Sequence, residues 1–216
     1  MKRILLFSIL SFTAASGFAY PDYEPFNYPS GVNLVGQTNP DGLTWAAAGP
    51  PGVNVGVQAG SLTVPGLAPS IGNEILFQGA TGPSARFPIG PVVNQGTVFF
   101  SFALRVADLT RLTTTGDYLA GFNDAVGTQS TTPTVVGTRV LTRALASGGG
   151  YNLGLSKSSD LPADFKWDPR LFTVNDTVFI VGSYAFSDLA VDLADLWINP
   201  NPADFGAATP PPSTFN

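Results

Sequence analysis

The segment SDLAVDLADLWINP, residues 187–200, places Asp188, Asp192 and Asp195 four and then three residues apart. On a helix that spacing gathers three carboxylates on one face and Leu189, Leu193 and Leu196 on another. Carboxylates so gathered are the material of a metal or acid/base site. The neighbouring residues argue against the helix. TVFIVGSYAF (177–186) is rich in branched and aromatic residues and reads as a strand. Trp197-Ile198-Asn199 runs into Pro200, and residues before proline avoid the helical region. The roughly eight residues between are enough for a loop or for one helical turn from a Ser187 N-cap. The expectation is a hairpin whose second strand begins near Asp195. Asp188 and Asp192 then lie in a solvated connection, and Leu196 and Ile198 face away from Asp195 and Trp197.

Other chemistry is bounded by what the sequence lacks. It contains no cysteine and no histidine, which excludes thiol nucleophiles, cysteine-ligated zinc, the Ser-His-Asp triad and almost every catalytic zinc site. Retaining glycoside hydrolysis needs two carboxyl groups about 5 Å apart across the scissile bond. Only Glu24 and Glu74 are glutamates, no strand places two aspartates at i, i+2, and no catalytic residue is assigned. Calcium takes oxygen ligands, and Asp117 and Asp124, flanking YLAGF at the ends of a strand, are the metal candidates. Their alternative is service in turns.

Sugar binding needs rings that cover the apolar face of a pyranose and polar groups that orient it. Trp45, Trp167, Trp197, Tyr118, Tyr151 and Tyr184 are the available rings, each with core packing as its alternative. Trp167, Trp197 and Tyr118, with Asn123, are taken as the ligand-binding candidates. Trp167 is the least core-like, because its context DFKWDPR (164–170) is polar on both sides. There Asp164, Lys166, Asp168 and Arg170 pair with one another or frame a ligand. Asn175-Asp176-Thr177 reads as a turn, and GGGY (148–151), with no following helix and lysine, as a hairpin link rather than a phosphate loop.

Strands must position these residues. TVFFSFALRV (97–106) and TVFIVGSYAF are the strongest, and in the first Val98, Phe100, Phe102, Leu104 and Val106 share one face. Further extended runs fall at 32–35, 43–46, 53–57, 62–64, 74–78, 84–87, 118–123, 134–144 and 151–157. Only 106–111 and 187–196 hint at helix. Many strands with turn-rich links argue for an all-β sandwich or jelly roll.

Lys2-Arg3, the apolar run Ile4–Phe12 and Gly17-Phe18-Ala19 read as an export signal cleaved after Ala19, the run being too short to span a bilayer. The 10 basic residues without Lys2 and Arg3 leave 8 against 15 acidic, a net charge of −7. They form no run, which disfavours nucleic acid and anionic membrane surfaces as partners. No transmembrane segment is expected. Without disulfides, burial alone must hold the fold, and 44% hydrophobic residues including 16 Phe supply it.

An ordered set of segments resembles exported bacterial concanavalin A-like (LamG-type) jelly-roll domains of proteins that carry a PEP-CTERM sorting anchor. The segments are YEPFNYPSGVNLVGQ (23–37), GLTWAAAG (42–49), FSFALRVADL (100–109), YLAGFN (118–123), YNLGLSK (151–157), FIVGSYAF (179–186) and DLWINP (195–200). The resemblance implies a concanavalin A-like sandwich of two antiparallel sheets over residues 20–208. It also implies that the Pro-rich tail 209–216, read as lacking regular structure, marks a truncation before the closing strand or strands. The expected function is a non-catalytic cell-surface or matrix module, exported to the exterior or envelope, that binds polysaccharide or a surface protein, with calcium as the one conceivable cofactor. The alternative is a glycan-active hydrolase using Asp carboxylates.

Overall fold

The computed structural model describes residues 23–48, 55–78, 84–89, 93–124, 133–187 and 191–216. The export signal expected over residues 1–19 and Asp188 lie outside the described residues. Among those described, regular structure consists of antiparallel strands and two single-turn 3-10 helices, Pro162–Asp164 and Pro202–Asp204. The helix hinted at 106–111 is a loop, in which Asp108 accepts the amide (2.9 Å) and hydroxyl (2.5 Å) of Thr110. A short polar side chain offered the backbone an alternative to helical bonding there. No helix among the described residues is long and apolar enough to cross a membrane.

Two larger sheets carry the fold. One has strand order β6 (Asp117–Asn123), β7 (Val136–Ala144), β8 (Tyr151–Ser156), β9 (Lys166–Trp167); the other has order β11 (Leu193–Ile198), β10 (Thr177–Phe186), β5 (Gly96–Arg105). The pleat sends alternate residues to opposite faces. Val140, Tyr151, Leu153 and Leu155 of the first sheet therefore share one buried cluster with Val178, Ile180, Leu196 and Ile198 of the second, and Phe100, Phe102 and Leu104 pack against it. Each such side chain contributes about 1.5–3 kcal/mol when fully buried. The inward set on β5 follows the alternation of TVFFSFALRV.

A second, smaller cluster holds Tyr28, Leu34, Val55 and Val57, beside the short pairs β1 (Ala46–Ala48) with β4 (Ser84–Arg86) and β2 (Gly56–Gln58) with β3 (Glu74–Leu76). Glu24 clasps it. Its carboxylate accepts the Phe26 amide (2.7 Å), the Tyr28 hydroxyl (2.8 Å) and the Trp45 indole N–H (3.0 Å). Burial, with the Glu24 carboxylate beside it, pushes the Tyr28 phenol up to about 12.

The β10–β11 hairpin matches the sequence expectation, with Ser183 opposite Asp195 and Val181 opposite Trp197. Residues 209–216 depart from it. Phe215 bridges Leu196 on the edge of β11 and packs on the core, and Thr214 accepts the amide of Ile198 at 3.1 Å. The tail reads as featureless because its prolines cannot donate to a ladder. Thr214 and Phe215, just past them, can.

Two bulges shape β6 and β7. Thr138 and Arg139 together oppose Gly121, and Leu119 is the extra residue on β6. Thr138 has φ +49°, rare for a β-branched residue. It is held there by its amide on the Lys157 carbonyl (2.8 Å) and its hydroxyl on the Ser183 carbonyl (2.7 Å). Such backbone strain costs roughly 1–3 kcal/mol and lasts only where its surroundings over-determine it.

Candidate binding face

The outer face of the β6–β9 sheet gathers two of the four ligand candidates. Register places Tyr118 opposite Leu141 on β7, Leu141 opposite Gly154 on β8, and Gly154 opposite Trp167 on β9. These four residues therefore share the face turned away from the core. Arg139, two residues before Leu141 in the regular β7–β8 register, shares this face by alternation, and its guanidinium carbon stands 5.3 Å from the Tyr118 ring centroid. Arg143 follows two residues beyond Leu141, and its guanidinium carbon lies 4.4 Å from the Trp167 ring centroid.

Two glycines make the bed for Trp167. A Cβ on Gly154 would stand 2.4 Å from the Lys166 carbonyl and 2.7 Å from the indole, and one on Gly116 (φ +106°) would stand 2.5 Å from the indole's far edge. Phe165 meets the indole edge-on at 6.1 Å. The tryptophan is half-buried and Tyr118 is 46% exposed above a fully buried Leu141, so the two rings are anchored and partly open.

The polar groups divide into those the fold uses and those it leaves. Arg139 is buried, donates from Nε to the Val136 carbonyl (3.0 Å) and forms an ion pair with Asp160; burial draws its pKa below the ordinary arginine value. Asp168, 2% exposed, is chelated by Arg170 through Nε (2.8 Å) and Nη2 (2.5 Å). Asp164 accepts the Ser159 hydroxyl at 2.6 Å. The DFKWDPR segment thus pairs Asp168 with Arg170 and leaves Asp164 to a turn. By contrast, the Tyr118 hydroxyl, the Trp167 indole N–H and the terminal nitrogens of Arg143 have no hydrogen-bond partner among the described residues.

The remaining candidates lie elsewhere. Trp197 stands on the outer face of the three-stranded sheet but is 8% exposed, and its N–H donates to the Pro211 carbonyl at 2.9 Å. Beside it runs a groove of about 310 Å³, floored by Phe99 and Trp197 and bounded by Asp195, Pro210 and Pro211. Asn123, at the far end of β6, accepts from Arg86 at 3.3 Å. At ~3.3 Å per residue it is about 16 Å along the strand from Tyr118.

Asp117 and Asp124 sit at opposite ends of β6, about 23 Å apart by the same rise. Asp117 accepts the Thr113 hydroxyl (2.7 Å); Asp124 accepts the Thr134 hydroxyl (2.5 Å) and the amides of Thr134 and Val135. Chiefly the Thr134 hydroxyl holds Asp124 below the usual carboxylate range. They do not converge on one ion. Among the described residues no three Asp or Glu side chains gather where they would hold a metal. Asp192 closes its own hairpin, accepting the Ser187 amide and the Tyr184 hydroxyl, both at 2.9 Å. Asp195 accepts the Ser213 hydroxyl at 2.8 Å.

Sequence reasoning missed Arg139, Arg143 and Asn152, having counted the basic residues as scattered. The signal was present in TRVLTRA (138–144). Arginines four apart on a strand share a face by the same alternation that organises its apolar residues. No family model, curated protein or solved structure matches the chain.

Proposed function

We propose that the chain is a non-catalytic recognition module of the concanavalin A-like jelly-roll kind, exported to the cell surface or matrix, which binds a glycan on the outer face of β6–β9. One observation carries the reading. Of three tryptophans, Trp45 and Trp197 donate their indole N–H to the chain itself, whereas Trp167 keeps its own open on a face that also presents the Tyr118 ring and hydroxyl. A ring to cover the apolar side of a sugar, with open donors beside it on rigid strands, is what pyranose recognition requires.

Affinity electrophoresis of the full chain through gels containing a panel of polysaccharides, with and without calcium, tests this. Retention by at least one polymer is expected. Trp167→Ala and Tyr118→Ala should each weaken it about tenfold, which corresponds to about 1.4 kcal/mol. Retention by none, in either condition, overturns the reading. The hydrolase alternative is separated in the same samples, because it alone releases new reducing ends.

A further inference from the structure

We infer that the ligand of this face carries carboxylates, as an acidic polysaccharide built of uronate units does, and that Arg143 is the residue that selects it. The inference rests on the glycan reading above and deepens it.

The argument begins with Arg143 itself. Its Nε donates to the Asn152 side-chain oxygen at 3.3 Å, and the Asn152 amide nitrogen donates to the Arg170 carbonyl at 2.8 Å. Asn152 is 5% exposed, so this support is fixed. The guanidinium is further held against the Trp167 ring. Both constraints leave the two terminal nitrogens pointing their N–H fork at no protein acceptor among the described residues. A planar fork held in place is the complement of a carboxylate, which it grips through two parallel hydrogen bonds.

The other cations of this region are already engaged. Arg139 is paired with Asp160 and Arg170 with Asp168, while Lys166 donates to the Asn216 carbonyl. Arg143 is therefore the arginine of the face without a carboxylate partner among the described residues. The chain as a whole is acidic, at −5, and repels polyanions at long range. That repulsion is screened beyond about 8 Å at physiological salt, so the local guanidinium decides the contact. A neutral glycan would meet the rings but offer the fork only hydroxyl oxygens, without the charge-assisted pair of bonds that a carboxylate supplies.

The test is a binding titration of the full chain against polygalacturonate, the same polymer after methyl esterification, and dextran sulfate. It is run at about 50 mM and about 300 mM NaCl, either side of physiological screening. Polygalacturonate is expected to bind at least about tenfold tighter than its methyl ester, as a charge-assisted contact should. The gap narrows at the higher salt. Arg143→Gln closes it, and Arg143→Lys restores part of it, which a merely structural role for Arg143 would not do. Equal binding of acid and ester, or a gap that survives Arg143→Gln, overturns the inference and leaves the glycan reading standing. Preference for dextran sulfate over polygalacturonate overturns the carboxylate assignment in favour of a sulfate ester. Binding to no polymer overturns the inference together with the reading on which it rests.

Discussion

Trp45, Trp167 and Trp197 show how the same side chain serves different ends according to one hydrogen bond. Trp45 is stapled to Glu24, Trp197 to the Pro211 carbonyl, and Trp167 to neither. The polar context of Trp167 made it legible in the sequence as the least core-like of the three. The engagement of Trp197 was not legible, because its partner lies 14 residues on, in a tail whose path local pattern does not specify. Tyr151 shows the reverse situation. It is fully buried between the sheets, its hydroxyl has no partner among the described residues, and burial pushes its phenol up to about 12. A buried hydroxyl without a partner costs about 1–3 kcal/mol. Tyr151→Phe is therefore expected to raise stability by about 1 kcal/mol in urea unfolding. A loss of stability would show that the hydroxyl is satisfied in solution.

Strands β5, β8 and β10 were readable because alternate apolar residues of each enter the core. β9 was not readable, being a two-residue strand whose existence depends on pairing with Gly154 and Leu155. Gly154 is the joint of that pairing. Any side chain there meets the Lys166 carbonyl at 2.4 Å before it meets the indole. Gly154→Ala should therefore separate β9 from β8 and displace Trp167, lowering stability by about 1–3 kcal/mol and weakening glycan retention about as much as Trp167→Ala does. Intrinsic fluorescence checks it directly, since the Trp167 emission should shift to the red. An unshifted spectrum would mean that the strand tolerates the methyl group. The compensated bulges of β6 and β7 were equally invisible in the sequence, because a positive φ at Thr138 follows from its tertiary partners rather than from its own preference.

The absence of histidine fixes how the whole molecule responds to pH, because no side chain of ordinary pKa titrates near neutrality. On the acid side, Asp124, Asp176 and Asp192 are held below their ordinary value of 3.8. The causes are chiefly the Thr134 hydroxyl, the Thr173 amide and the Ser187 amide respectively. Their stabilisation is complete above the unfolded value and is lost as pH falls below it. On the alkaline side, burial raises Tyr28, Tyr151 and Tyr184 from 10.0 to about 12, so their stabilisation is complete below pH 10.0 and is lost as pH rises toward 12. The melting temperature should hold a plateau from about pH 5 to about pH 9 and fall on both sides. A step near pH 6 to 7 in a circular-dichroism melting series would contradict it. The docking of Phe215 against the core has a consequence in time rather than in space. Synthesis is vectorial, so the inner faces of β5 and β10 are made long before the ring that completes their cover. β5 itself pairs across 72 residues, Arg105 with Thr177, and long-range pairing of this kind forms slowly. The nascent chain thus carries the apolar face of β5 unpaired until β10 has emerged, and the ring of Phe215 is added last, at the edge of β11.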